Sequence, residues 1–193
     1  MWLKLVRAWR ADRRGLAATE FAIIVGPLMI FMLAVFEITL RMQAADEFER
    51  YAFQVGDVFS RDEALTSGDL DVLYKAADTM MQQVDVRDEM LDVDVASIGF
   101  QEDGDPVLLW RRYRGNKPSD LDLKDAIGLA EPGETVLRVS ATLRFTPSIS
   151  YLSTPSASMT RSSFFKPRTT RAISIDGKVI DPGISWDFYS AGS

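Results

Sequence analysis

The chain has 193 residues, of which 47% are hydrophobic and 26% are charged, and its net charge at pH 7 is −6. It contains no cysteine and no histidine, so residue type alone excludes disulfides, thiol nucleophiles, serine–histidine triads and histidine-based zinc sites. The length allows one membrane segment and one small domain with its own core.

The first 15 residues form a basic leader. Its charged residues are Lys4, Arg7, Arg10, Asp12, Arg13 and Arg14. Removing the leader would change the net charge from −6 to −10, and such an acidic product is unsuited to binding nucleic acid through bulk charge. Only Arg41 and Arg50 are basic in the 15 residues after Leu40. The positive-inside rule therefore predicts a cytoplasmic amino terminus and a domain beyond the membrane.

Residues 16–40 form an apolar stretch that predicts a transmembrane helix. No charged residue lies between Phe21 and Phe36, and the 25 residues make a helix about 37 Å long at about 1.5 Å per residue. Two glutamates lie inside the stretch, Glu37 near its end and Glu20 near its start; a bare charge at membrane depth costs at least about 2.5 kcal/mol. Ionisable residues at membrane depth are usually functional, so Glu20 is the first candidate site residue.

Gly15 and Leu16 form a second candidate site, a bond open to a peptidase at the cytoplasmic face of the membrane. Glycine has no Cβ and continues a helix poorly, so this bond is sterically accessible. Arg13 and Arg14 hold it at the headgroup level because they do not enter hydrocarbon. Cleavage would create an ammonium group on Leu16, four residues before Glu20. The two charges would then neutralise one another, within a subunit or between neighbours, and set the register of packed helices.

The pattern Gly15-x-Ala17-Ala18-x-Glu20-Phe21-Ala22, followed by Pro27 and Glu37, resembles the TadE-like minor pseudopilins of the tight-adherence (Tad, or Flp) pilus. The resemblance covers about the first 40 residues. Phe21, where the major pilin usually has tyrosine, and a domain of about 150 residues favour a minor component.

The resemblance implies that a prepilin peptidase removes residues 1–15 and that Glu20 and Phe21 pair helices during assembly. It implies four partners: the peptidase, an inner-membrane pilus platform, the major pilin and other minor pilins. The chain would lie in the bacterial inner membrane with a periplasmic domain, and in the extracellular pilus after assembly. Its function would be to initiate, cap or support a filament for surface adhesion, with no cofactor and no catalysis of its own.

Three alternatives stay open at this point. The first is an ordinary secretory signal peptide cut near Ala45. The second is an uncleaved single-pass anchor that carries a periplasmic binding domain, with Glu20 solvated near the membrane interface. The third is a pseudopilin of a type II secretion system, which shares the cleavage but acts in protein export.

Beyond the apolar stretch the helical pattern continues. Residues 41–60 are predicted to form an amphipathic stalk because apolar residues recur at spacings of three and four. These residues are Met42, Ala45, Phe48, Ala52, Val55 and Phe59. After a break at residues 61–67, a second amphipathic helix is predicted from about Asp69 to Val84. Its apolar face would consist of Leu70, Leu73, Ala77, Met80 and Val84.

From residue 91 onward, alternation with a period of two predicts strands. The first strand is expected at residues 91–100, with a bulge near Ala96. A hairpin turn at residues 102–106 leads to a second strand at residues 107–113. The clearest strand is residues 135–145, with one buried and one solvated face.

The remaining segments are predicted from composition. The long connection before the third strand would carry a short helix at residues 121–129. Residues 146–160, rich in serine, threonine and proline, are predicted to be an exposed loop. Residues 161–175 would be an edge strand interrupted by Pro167, followed by a tail at residues 176–193.

Together these elements predict an α+β, pilin-like fold, in which a long N-terminal helix packs on an antiparallel sheet of about four strands. The expected organisation is a leader (1–15), a transmembrane helix (16–40), a stalk helix (41–60), a periplasmic domain (61–175) and a C-terminal tail (176–193).

Two other clusters have competing interpretations. The carboxylates of Asp92, Asp94, Glu102, Asp103 and Asp105 are ligands that Ca²⁺ accepts, but their spacing is not that of an EF-hand, so a solvated strand face and turn is favoured. The basic and aromatic residues 110–114 suit nucleic acid, but a strand with Trp110 in the core is favoured. No metal and no nucleic acid are therefore expected.

Overall fold

The computed structural model describes residues 15–81, 90–145 and 157–189. The chain divides into two compact units, one that ends at Met42 and one that begins at Gln43. Helix α1 (Leu16–Arg61) starts in the first unit, continues without interruption through Pro27, and ends in the second. Helical structure over residues 16–40 and 41–60, as predicted, is therefore confirmed, and the two segments form one continuous helix.

The second unit contains a four-stranded antiparallel sheet in the order β3-β2-β4-β5. Its strands are β2 (Leu91–Phe100), β3 (Pro106–Arg114), β4 (Thr135–Phe145) and β5 (Ala157–Phe165). A separate parallel pair, which was not predicted, joins β1 (Ala64–Leu65) to β6 (Ser174–Ile175). Helix α2 (Ser67–Met80) and a 3₁₀ helix (Leu123–Ala126) complete the described elements. The architecture is α+β, as expected.

The main core joins the buried faces of α2, the sheet and the part of α1 in the second unit. At its centre, Trp110 is fully buried, and its indole Nε1 donates to the backbone oxygen of Ile173 at 2.8 Å. Tyr51 is also buried; its hydroxyl donates to the oxygen of Leu73 at 3.1 Å, and desolvation raises its pKa. A smaller core on the other face of the sheet contains Ile98, Phe100, Ala126 and Val136.

Helix α2 begins two residues earlier than predicted because Thr66 caps it. The Thr66 hydroxyl accepts from the backbone N–H of Asp69 at 3.2 Å, and the Asp69 carboxylate accepts from the backbone N–H of Thr66 at 2.7 Å. This reciprocal capping box satisfies two donors that a helix start leaves unpaired. The predicted face is confirmed where Leu70 and Ala77 are buried, whereas Val84 lies outside the described residues.

Two predictions about the end of the sheet are wrong in their bounds, although β5 lies at an edge of the sheet, as predicted for the strand that begins at residue 161. Strand β5 begins at Ala157, inside residues that composition indicated as loop, because the hydroxyls of Thr142 and Thr160 pair across the β4–β5 ladder at 3.0 Å. The single edge strand predicted for residues 161–175 is instead the end of β5 and, after Pro167, the short β6. Residues 146–156 of the predicted loop lie outside the described residues.

Smaller corrections concern single residues. Met42 is 63% exposed, and the buried stripe of α1 starts at Ala44 and includes Tyr51. The bulge lies between Ser97 and Ile98 of β2, one residue beyond the expected position. The helix expected at residues 121–129 is a single 3₁₀ turn.

We expect Gly56→Ala to destabilise the second unit, although alanine favours a helix by about 1 kcal/mol over glycine. A Cβ on Gly56 would overlap the ring of Phe165, and overpacking of this kind costs about 1–3 kcal/mol. The matched control is Gly68→Ala in α2, where the nearest atom would be the Thr66 hydroxyl at 3.4 Å. Urea unfolding should show a lower free energy of unfolding for Gly56→Ala and not for Gly68→Ala. Equal free energies of unfolding for the two variants would contradict the overlap.

Candidate functional site

The candidate cleavage bond lies at the start of α1. Gly15 is an exposed turn residue, and its carbonyl oxygen accepts the backbone N–H of Thr19 at 3.1 Å. Among the described residues, apart from the neighbours of Gly15 in the chain, no atom lies within 4 Å of the position that a Cβ on Gly15 would take. Leu16 is the first helical residue. The bond between them is therefore flanked by open space, whereas Arg13 and Arg14 lie outside the described residues.

Helix geometry fixes the position of Glu20 relative to Leu16. The two residues are four apart within α1, so they occupy the same face one turn apart. Glu20 is exposed, and its neighbour Phe21 is 66% exposed. A positive charge on the Leu16 nitrogen would therefore lie within one helical turn of the Glu20 carboxylate.

The surface around Glu20 is apolar. Large exposed side chains continue through the first unit: Phe21, Ile23, Ile24, Leu28, Met29, Ile30, Phe31 and Phe36. In the described part of the chain, one helix is long and apolar enough to cross a membrane, and only 6% of its most apolar stretch is buried. The core helix of a soluble protein passes the same test but is mostly buried, and a signal sequence near the amino terminus passes it as well.

An ion pair near the C-terminal end of the apolar stretch was not predicted. The Nε of Arg41 donates to Oε1 of Glu37 at 3.1 Å, and Glu37 is only 7% exposed. Its other oxygen, Oε2, has no hydrogen-bond partner among the described residues. The i, i+4 spacing of Glu37 and Arg41, with the acid first, was the sequence signal for this pair.

On the sheet, arginines neutralise the two aspartates of β2. Asp94 accepts from Arg111 at 2.8 Å and 2.9 Å and from Arg138 at 3.3 Å. The hydrogen bond to Asp94 is the largest cause that raises the pKa of Arg111. Asp92 accepts two hydrogen bonds from Arg144, at 2.6 Å and 2.9 Å. Because Asp94 is 6% exposed, the prediction of a solvated strand face is wrong at this residue.

This arrangement leaves the acidic cluster divided. Glu102, Asp103 and Asp105 are exposed in the hairpin turn, away from the paired Asp92 and Asp94. Within the described ranges, no group of three or more carboxylates is placed to hold a metal ion.

The basic residues of β3 are also paired. Arg111 binds Asp94, Arg112 binds Asp181 at 2.8 Å, and Arg114 binds Asp71 at 3.0 Å. The bidentate hydrogen bond from Arg112 lowers the pKa of Asp181. These three arginines are thus paired with aspartates of the same chain, and the prediction that Trp110 belongs to the core is confirmed.

Comparison of the chain with protein-family models, with curated proteins and with solved structures finds no match.

Proposed function

We propose that this chain is a membrane-inserted minor pilin-like subunit, cut between Gly15 and Leu16 and assembled through α1 into a Tad-type pilus used for surface attachment. The observation that carries the proposal is Glu20, exposed on an otherwise apolar helix surface one turn after an open glycine bond. An anchor alone has no use for a carboxylate in the apolar stretch, because a charged side chain costs about 2.5–3.5 kcal/mol at the centre of a membrane helix.

Cleavage gives this carboxylate a partner. The new ammonium group of Leu16 would lie on the same face of α1 as Glu20, because the two are four residues apart in one helix. A charge-assisted hydrogen bond between them offsets part of the cost of placing both charges in hydrocarbon. If the partner is the ammonium group of a neighbouring subunit, the same bond fixes the axial register of two helices.

The proposal also assigns partners. A prepilin peptidase would recognise the Gly15–Leu16 bond, and the inner-membrane platform would extract α1 from the bilayer. The major pilin and other minor pilins would then pack against the exposed apolar surface of α1 around Phe21. Ion pairs in the second unit occupy the carboxylates of Asp92 and Asp94, which supports a structural role for this sheet face.

Gly15→Val is expected to abolish removal of the leader. A β-branched side chain would crowd the bond that the peptidase must reach, and no atom of the described residues now occupies that space. The measurement is amino-terminal analysis of the protein from membranes of a host that carries a Tad pilus, where the wild-type chain should begin at Leu16.

The matched control is Gly26→Val, further along α1, where a Cβ would also meet no atom within 4 Å. This variant should be processed normally. A wild-type chain that begins at Met1 or near Ala45 would contradict the proposal, and association with a secretion apparatus instead of pili would favour the type II alternative.

A further inference from the structure

The two edge strands of the sheet, β3 and β5, differ in how far other residues cover their free backbone groups. At β3, the backbone oxygen of Leu109 accepts the N–H of Asp181 at 2.8 Å, and Arg112 holds the Asp181 carboxylate with two hydrogen bonds at 2.8 Å and 2.9 Å. This contact covers part of the β3 edge. At β5, no backbone group of the described residues pairs with the side away from β4.

The β5 edge lacks the usual protection against pairing with another strand. Proteins commonly protect edges with short strands, proline, bulges or several charges. Strand β5 has nine residues and no proline, its ladder with β4 runs without a register shift, and its one charged residue is Arg161. With respect to the described residues, it therefore presents a continuous row of unpaired backbone donors and acceptors.

A groove of about 550 Å³ runs between this edge and α1. It is lined by Asp46, Glu49, Arg50, Ala52, Phe53, Arg161 and Ser163. Phe53 is 59% exposed and its ring packs against Phe165 with centroids 5.6 Å apart. A groove between an edge strand and a helix, with an exposed aromatic ring in it, is the geometry that receives an extended peptide by strand addition.

The charges of the groove specify the peptide. Arg161 and Glu49 form a long ion pair of 3.6 Å, with side chains 45% and 66% exposed. Asp46 and Arg50 have no ion pair or hydrogen bond among the described residues. Asp46, Arg50 and Phe53 follow one another along α1 within two helical turns. A complementary segment therefore carries a basic, an acidic and an apolar side chain, in that order or its reverse, at alternate positions.

We propose that an extended segment of a partner polypeptide adds to β5 as a fifth strand of the sheet. Its main chain pairs with the free edge, and one row of its side chains fills the groove against Asp46, Arg50 and Phe53. The other row lies beside Thr160, where hydroxyl side chains fit, as Thr142 does across the ladder. This site is independent of cleavage after Gly15.

The test uses the full chain in lipid nanodiscs and a fluorescent heptapeptide. Positions 2, 4 and 6 of the peptide are threonine, and positions 1, 3, 5 and 7 are lysine, glutamate, leucine and valine. A second peptide has the reverse sequence. One of the two peptides should bind, which is measured as a saturable rise in its fluorescence anisotropy. Phe53→Ala should weaken binding at least about tenfold. The matched control Val58→Ala, at an α1 residue 45% exposed that does not line the groove, should change it less than about twofold.

Two further measurements separate strand addition from general apolar binding. In an added strand, every second backbone N–H of the peptide points toward β5 and the others point away. Methylation of the nitrogens that point toward β5 should therefore abolish binding, whereas methylation of the others should not. Arg50→Glu should weaken binding and a peptide with lysine in place of glutamate should restore it. The proposal is overturned if neither set of N-methyl groups changes the affinity of the peptide, or if neither peptide binds.

Hydrogen exchange of the free chain supplies an independent outcome. Alternate amides of β5 should exchange rapidly in the free chain and become protected by the peptide. Slow exchange of all β5 amides in the free chain would show that the edge is already covered and would overturn the proposal. Dimers of the free chain that Phe53→Ala dissociates would identify the occupant as a second copy, which also contradicts a separate partner.

Discussion

Replacing Glu20 with alanine is expected to leave the chain in the membrane with its leader removed, and to lower its incorporation into pili by about 10- to 100-fold. The substitution removes a charge that costs at least about 2.5 kcal/mol in hydrocarbon, so insertion of α1 should improve or stay the same. It also removes the partner of the Leu16 ammonium group, and a hydrogen bond between charged groups is worth about 1.5–3 kcal/mol. Assembly should therefore decrease while insertion does not.

The measurement is the ratio of the chain in a sheared-pilus fraction to the chain in the inner-membrane fraction, with amino-terminal analysis of both. Thr19→Ala is the matched control, since it removes an adjacent exposed polar side chain without removing a charge. Glu20→Gln should behave like the alanine variant, because it keeps the size of the side chain but not its charge. Normal incorporation of Glu20→Ala would show that the carboxylate has no role in assembly.

The candidate cleavage and assembly residues could be placed from the sequence because their geometry is local. A four-residue spacing inside one helix puts Leu16 and Glu20 on one face whatever the rest of the chain does. The strand at residues 135–145 was predicted at its observed bounds for a similar reason. Its strict alternation of apolar and polar residues has one consistent pairing with a buried face.

Prediction from the sequence failed where residues distant along the chain decide the local structure or the burial of a side chain. Residues 157–160 were predicted as loop from their composition, and they form a strand because β4 supplies both a backbone ladder and a hydroxyl partner at Thr142. Asp94 was expected to be solvated, and it is buried because arginines 17 and 44 residues away in the sequence reach it. Periodicity describes the faces of one element and does not show what covers them.

Asp94→Ala is expected to lower the free energy of unfolding of the second unit by about 2–4 kcal/mol. The Asp94 side chain is 8% exposed and accepts hydrogen bonds from Arg111 and Arg138, so its removal leaves two guanidinium groups without their acceptor. Breaking a buried ion pair in this way costs about 3–5 kcal/mol. The two arginine side chains are 19% and 18% exposed, and the water that reaches them reduces the cost.

The matched control is Asp71→Ala, which also removes an aspartate paired with an arginine of β3. Asp71 and Arg114 are 3.0 Å apart and both side chains are 52% exposed, so this change should cost less than about 1 kcal/mol. Urea unfolding of the full chain in nanodiscs, followed by the fluorescence of the buried Trp110 and Trp186, measures both variants.

The triple variant Asp94→Leu with Arg111→Met and Arg138→Met removes all three charges at once. Comparison with Asp94→Ala separates the destabilisation caused by unpaired arginines from the stability that the ion pairs themselves contribute. Apolar residues of similar volume often replace a buried ion pair without loss of stability. We therefore expect the triple variant to recover most of what Asp94→Ala loses. If Asp94→Ala costs no more than Asp71→Ala, the Asp94 network does not stabilise the sheet.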